Sequence, residues 1–248
     1  MEEMKKIPDK SIDLVLTSPP YDDLREYEGY SFNFEGVANE IYRLVKDGGV
    51  CVWVVNDSTK DGSESGTSFK QALYFKEVGF KLHDTMIWHK HSPPLTHKRY
   101  EQHFEYMFIL VRGSIRTFNP IMEDKIWEDN REFKNIRREK DGSYDRGFIG
   151  KSDKKIKGNV WKINTGGGHA TMDKIAYEHP AIYPEKLCSD HIISWSNEGD
   201  TILDPFMGSG TTIKMAKILK RNAIGIEISP EYYKIAEKRI NNTMESML

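Results

Sequence analysis

Hydrophobic spacing along this chain switches between two periods. Residues 12–17 (IDLVLT) form an apolar run interrupted by one acid, Asp13, and predict a buried strand. Residues 35–49 carry Val37, Ile41, Leu44 and Val45 at helical spacing, and Lys46 with the Gly48–Gly49 pair reads as the helix's C-terminal stop. Residues 50–55 (VCVWVV) are almost continuously apolar and β-branched, which predicts a strand covered on both faces. A second helix follows over 68–80, then two strands, 83–90 and 106–111, placed to pair as a hairpin. Strands and helices alternating at these lengths predict an α/β fold with a mostly parallel sheet.

From about 112 to 168 the periodicity fails, and aromatics are scattered singly (Phe118, Trp127, Phe133, Tyr144, Phe148, Trp161) among polar residues. This predicts a loop-rich insertion. Order returns over 176–196 as a turn leading into a helix, then as strand, glycine turn and helix over 201–221. A strand over 222–229 and a helix with Ser229 as N-cap and Pro230 as its first residue close the pattern. The chain thus divides into 1–111, an insertion 112–170, and 171–248, with the outer pieces as halves of one domain. Gly166 to Gly168 would be a flexible joint.

Composition adds bounds. At 248 residues, 38% hydrophobic, the chain suits one large α/β domain carrying an insertion. No apolar run reaches the roughly 18 residues of a membrane helix, and the charged opening MEEMKKIPDK lacks a signal peptide's apolar core. Cys51 and Cys188 sit far apart in apolar segments, as reduced core thiols would. These features predict a cytoplasmic protein. Net charge is −2, yet residues 112–162 hold 14 Lys and Arg against 9 Asp and Glu. Such an excess suits a polyanion-facing surface; a solvated mixed-charge insertion accounts for it as well.

The strand at 12–17 stops at Thr17-Ser18-Pro19-Pro20-Tyr21. Neither proline can donate a ladder hydrogen bond, and the first drives Ser18 out of helical geometry. The result is a rigid extended elbow with a serine before it and an aromatic after it. The second chemical signal is ILDPFMGSGTT, residues 202–212, a strand ending in an acid before a glycine turn and a helix. That unit aims backbone N–H groups at a ligand. A phosphate loop needs Lys where Thr211 stands, and the dinucleotide fingerprint needs Gly where Ile213 stands. Glu227, closing the next strand, can accept both hydroxyls of a ribose, so a nucleoside such as S-adenosylmethionine suits the pair; a tight turn beside a solvated Glu is the plain alternative.

With both motifs present, the chain resembles the DNA amino-methyltransferases of the circularly permuted β class. TSPPY at 17–21 is similar to that family's catalytic motif, DPFMGSGTT at 204–212 to its methyl-donor motif, and HPAIYPEKL at 179–187 to its further donor-binding segment. The resemblance implies a Rossmann-like fold, S-adenosyl-L-methionine as cofactor, double-stranded DNA as partner, a leaning to homodimers, and target recognition in the insertion. It implies catalytic roles for Ser18, Pro19, Pro20 and Tyr21. It implies donor contacts from Asp204, Pro205, Phe206, Gly208, Gly210, Thr211, Thr212, Glu227 and Lys186. Family members carry a further strand, ending in an acid that touches the donor's adenine, ahead of the segment that opens this chain at Met1-Glu2-Glu3; one strand and one adenine contact fewer are expected here.

The resemblance also explains the elbow. An exocyclic amine on cytosine or adenine is a poor nucleophile because its lone pair is delocalised into the ring. By resemblance the Pro19 carbonyl and the Ser18 side chain hold the amine hydrogens while Tyr21 stacks on the base, which must be flipped from the duplex. In the family a leading Ser leans to N4 of cytosine and a leading Asp to N6 of adenine, so Ser18 favours cytosine, with adenine as the alternative. Methylation at C5 would need a cysteine nucleophile, and neither Cys51 nor Cys188 ends a strand at a polar turn. A catalytically decayed binding module and a methylase of RNA or protein amides remain as other readings.

Other features weigh less. Ser92-Pro93-Pro94 is followed by Leu95 and reads as a loop. His89, His91, His97 and His103 lack metal-ligand spacing; with Lys90, Lys98 and Arg99 they suit a loop touching DNA phosphate or an ordinary polar loop. Residues 22–27 read as a loop covering the site.

Overall fold

The computed structural model describes residues 1–20, 32–90, 100–125, 134–138, 141, 143–148, 153–165, 168 and 170–245. It divides into two compact units, one of residues 1–119 with 159–248 and one of Pro120–Gly158. The strands of the larger unit's main sheet are β1 (Ile12–Thr17), β2 (Val45–Val55), β3 (Lys81–His89), β4 (Phe104–Val111), β5 (Val160–Lys162), β6 (Thr201–Asp204) and β7 (Asn222–Gly225). Its helices are α1 (Glu2–Lys5), α2 (Phe34–Leu44), α3 (Thr67–Val78), α4 (Glu185–Trp195), α5 (Thr211–Ile218) and α6 (Pro230–Glu245).

The sheet runs β5-β3-β4-β2-β1-β6-β7. β1 pairs in parallel with β2 and β6, β6 with β7, and β5 with β3, while β4 runs antiparallel to β2 and β3. This is the Rossmann-like, mostly parallel α/β fold with its antiparallel hairpin. β7 stands at one edge. All six residues of β1 are buried, Asp13 included. α2 presents Val37, Ala38, Ile41 and Leu44 to a core cluster that also holds Trp53, Phe75 and Leu203.

Two expectations need correction. Residues 45–49 belong to the bulged start of β2 rather than to a helix stop: the helix ends at Leu44, and Val45 pairs with Ile12. The reason is Arg112, whose Nη1 donates to the carbonyls of Tyr42 and, at 3.0 Å, Val45, satisfying the helix's last acceptors from outside. The chain can then turn directly into a strand, and Gly48, at φ +81°, serves the bulge. Second, the separate unit is narrower than 112–170. Residues 159–165 return to the main sheet, where Trp161 and Ile163 are buried. The basic excess of 112–162 shrinks with it. Arg112 and Arg116 lie in the larger unit and pair with Asp47 and Asp13, and Lys162 lies in β5. Residues 120–158 hold 11 Lys and Arg against 9 Asp and Glu.

Within that smaller unit, Met122–Asp124 pairs antiparallel with Lys154–Ile156, and Lys134–Arg138 with Tyr144–Phe148. Among the described residues, no helix is long and apolar enough to cross a membrane.

Candidate active site

The chain leaves β1 toward β2 on one side and leaves β6 toward β7 on the other. A crevice therefore opens at the C-terminal ends of β1 and β6, where the direction of winding reverses. The elbow follows the last residue of β1, and the glycine turn follows the last residue of β6. Two motifs nearly 190 residues apart in sequence thus share one crevice.

Their junction is a chain of buried hydroxyls around one carboxylate. Asp204 is fully buried. Thr17 Oγ1 donates to its Oδ1 at 2.6 Å, Thr212 Oγ1 to its Oδ2 at 2.6 Å, and the Phe206 N–H to Oδ1 at 3.1 Å. Burial pushes the Asp204 carboxyl up to about 6, against the pull of those donors. Tyr183, in the segment ahead of α4, hydrogen-bonds Thr212, and desolvation raises its phenol well above the ordinary range. Asp204 was expected among the donor contacts; the structure makes it the pin that joins elbow to glycine turn.

Pro19 is buried, with Ser18 and Pro20 half-buried on either side. Tyr21 and the expected covering loop at 22–27 lie outside the described residues, as do Ser92-Pro93-Pro94, His91 and His97. Phe206 turns into the core, 5.4 Å edge-on from Phe32 and 6.4 Å from Trp53. Pro205 completes the turn from β6.

The glycine turn needs its glycines. Gly208 (φ +48°) and Gly210 (φ +80°) adopt the left-handed backbone. A Cβ on Gly208 would stand 3.0 Å from the His179 ring, and one on Gly210 would stand 3.0 Å from Ala236 Cβ on α6. Glu227 lies two residues past β7. Its Oε2 accepts from the Gly208 N–H at 2.9 Å and its Oε1 from the Ser229 N–H at 2.9 Å. The carboxylate is thereby aimed, with lone pairs to spare for a ligand. Thr211 and Thr212 open α5.

Lys186, expected with the donor set, is exposed on α4 and pairs with Asp190 one turn on. In its segment Tyr183 reaches Thr212 of the glycine motif, while Glu185 pairs with Lys214 and Arg239. Sequence reasoning also missed Gly225 in β7, where a Cβ would meet Met207 Sδ at 2.3 Å and Ile213 at 2.8 Å. The close strand–helix approach that the dinucleotide fingerprint assigns to a glycine on the helix is made here by a glycine on the neighbouring strand, facing Ile213. The missed signal was GIEIS, a lone glycine inside an apolar strand.

Cys51 and Cys188 are buried free thiols, pushed up by desolvation. His89 and His103 stand edge-on at 6.0 Å, and His103 pairs with Glu101. Among the described residues, no three His, Cys, Asp or Glu side chains group as a metal site.

Comparison with known proteins accords with this geometry. Residues 12–238 match the N6/N4 methyltransferase family described as DNA methylase. The orphan methyltransferase M.BamHII of Bacillus amyloliquefaciens is 54% identical over 243 residues, covering 96% of this chain and 92% of that protein. The DNA adenine methyltransferase YhdJ of Escherichia coli is 29% identical over 97% of this chain and 80% of its own length. Among solved structures, a Thermus thermophilus protein described as a DNA modification methylase, in complex with S-adenosyl-L-methionine, superposes with a TM-score of 0.65 at 25% identity, covering 98% of this chain and 90% of that one.

Proposed function

Because the chain belongs to the DNA methylase family of N6- and N4-amino-methyltransferases, we propose that it moves a methyl group from S-adenosyl-L-methionine to the exocyclic amine of a base flipped out of duplex DNA, with N4 of cytosine favoured. The observation that carries this reading is the Thr17–Asp204 hydrogen bond, which sets the elbow beside the glycine turn in one crevice. The order of the motifs, elbow first, supports the circularly permuted β class.

The cradle fits the donor. Gly208 and Gly210 keep the turn free of Cβ atoms, and the Glu227 carboxylate is oriented for ribose hydroxyls. Bound there, the sulfonium supplies an electrophilic methyl group. The chain's own part is to hold the acceptor. The Pro19 carbonyl takes a hydrogen bond from the amine, Ser18 orients it, and Tyr21 stacks on the base. A proline-locked acceptor needs little reorganisation as the nitrogen becomes more tetrahedral, and the aromatic face replaces the stacking lost on flipping. The compact unit Pro120–Gly158 serves target recognition. Ser18 favours cytosine; the relative named as an adenine methyltransferase supports N6 of adenine as the second reading.

The test uses S-adenosyl-L-methionine labelled in its methyl group and unmethylated DNA of mixed sequence, digested to nucleosides for mass spectrometry. Label in N4-methylcytosine is expected. Label in N6-methyladenine transfers the proposal to the second base, and label in neither, with donor binding intact, overturns the DNA reading in favour of RNA or protein.

A further inference from the structure

Behind the glycine turn lies a group of four charges that neither motif predicts, two of them buried (Lys214, Arg239) and two half-buried (Asp173, Glu185). Asp173 precedes a 3-10 turn (Lys174–Glu178), Glu185 begins α4, Lys214 lies on α5 and Arg239 on α6. Lys214 Nζ stands 2.6 Å from Asp173 and 2.7 Å from Glu185, while Arg239 stands 2.8 Å from Asp173 and 2.6 Å from Glu185. Burial alone would raise the Asp173 carboxyl; hydrogen bonds from Lys214 and Arg239 outweigh it and hold the carboxyl below its ordinary value. Arg239 is only 1% exposed, so nearly the whole side chain has left water.

Such a group is poor economy as a source of stability, because desolvation offsets much of the attraction. What a guanidinium adds is direction, since its donors leave in a fixed planar fork. Here the fork reaches past the acids to the turn itself. Arg239 Nη1 donates to the Ser209 carbonyl at 3.1 Å and to Thr211 Oγ1 at 2.8 Å. The N–H of the same peptide unit, from Gly210, donates to the Met207 carbonyl at 2.7 Å. The Ser209–Gly210 peptide is therefore gripped at both ends, midway along the turn. The Gly208 N–H is taken by Glu227, the ribose-facing carboxylate.

We propose that Arg239 is a positioning residue for the methyl donor: it touches no donor atom, and it fixes the glycine turn in the one arrangement that receives the donor. This rests on the donor reading above. Asp173 and Glu185, each paired with Lys214 as well, in turn hold the guanidinium, so helix α6 becomes part of the donor site although it carries none of the family motifs.

The test uses the full chain with Arg239→Met and Arg239→Lys, and Arg43→Lys as a control in the separate ion group of Arg43 with Glu40 and Asp9. Calorimetric affinity for S-adenosyl-L-methionine, KM for donor and for DNA, kcat and thermal unfolding are read on each. Arg239→Met is expected to weaken donor affinity at least tenfold, with KM for DNA unchanged and kcat at saturating donor within twofold. Arg239→Lys, keeping the charge without the fork, recovers part of the loss; Arg43→Lys lowers the melting temperature alone. Unchanged donor affinity in either folded Arg239 variant, or equal changes in both KM values, overturns the proposal. If Arg239→Met does not fold, Arg239→Lys decides by a threefold or greater loss of donor affinity. Wild-type protein that binds no donor overturns the donor reading itself, before any variant is made.

Discussion

The Thr17 hydroxyl donates to the Asp204 carboxylate across 2.6 Å, joining the last residue of β1 to the last residue of β6. Strand pairing alone already brings Leu14 beside Ile202 and Val15 beside Leu203. The side-chain bond adds what a ladder cannot: it ties the elbow that follows Thr17 to the turn that follows Asp204. Motion of either loop is felt by the other through a few buried atoms.

Thr17→Val removes that donor and leaves a buried carboxylate one hydrogen bond short, at a cost of about 2 kcal/mol. Urea unfolding should show the loss, and kcat should fall because elbow and turn are no longer in register. Thr17→Ser restores the hydroxyl and should recover most of both. A kcat untouched by Thr17→Val in folded protein would separate the two motifs functionally.

Asp204 should give the protein a pH dependence of unusual sign. Burial holds its folded-state value at about 6, above that of a carboxyl in the unfolded chain. The folded protein binds the proton more tightly, so this contribution to stability is complete at low pH and is lost as pH rises through about 6. Between pH 5 and pH 7.5 the loss should be about 1 kcal/mol. Asp204→Asn does not titrate, and the difference in unfolding free energy between wild type and variant should narrow over that interval. A constant difference would remove Asp204 as its source.

Asp13 titrates in the opposite sense. Burial alone would raise it, but bonds from Lys46, the Thr201 N–H and Arg116 hold it below the ordinary carboxylate range. Its contribution is present above the unfolded value near 4 and is lost as pH falls below that. Asp13→Ala should cost about 2 kcal/mol at neutral pH, since the half-buried Thr201 N–H loses its acceptor and Lys46 and Arg116 lose their partner. Acid unfolding of the variant should be correspondingly shallower.

Most of the sheet was legible because its strands are apolar on both faces, and β1, β2 and β4 read as near-continuous runs. The glycine turn and elbow were legible because Gly and Pro restrict backbone geometry locally. Arg112 was not: a side chain that closes a helix 67 to 70 residues away leaves no local trace, so residues 45–49 read as a cap. Arg239, Asp173 and Tyr183 were hidden for the same reason. Their partners are distant in sequence, and each sits in a segment whose own pattern only says helix or turn. The Lys186–Asp190 pair was not legible either, since a motif position fixes a residue's place on a helix and leaves open which neighbour its charge prefers.

Gly225→Ala should act at a distance from any ligand. The new methyl would meet Met207 Sδ at 2.3 Å and Ile213 at 2.8 Å, forcing β7 away from the turn and α5. Overpacking of this kind costs roughly 1–3 kcal/mol. Because Met207 belongs to the turn, donor affinity should fall together with the melting temperature. A loss of stability with donor affinity intact would show that the turn tolerates the shift.

Glu227 meets two demands at once. Each of its oxygens accepts one backbone N–H, from Gly208 and from Ser229, and each keeps a further lone pair, which the proposed function gives to the ribose. A glutamine has one such oxygen, so its amide must face one of those N–H groups donor to donor. Glu227→Gln should therefore release one end of the cradle and lose a ribose acceptor together, raising KM for the donor about tenfold, roughly the worth of one charge-assisted hydrogen bond. The effect on kcat at saturating donor should be much smaller, because in the proposed reaction the amine is held by the elbow after β1 and not by this carboxylate. Steady-state kinetics with donor varied at fixed DNA measures both. A fall in kcat with KM unchanged would move Glu227 out of the ribose site and toward the reacting methyl group.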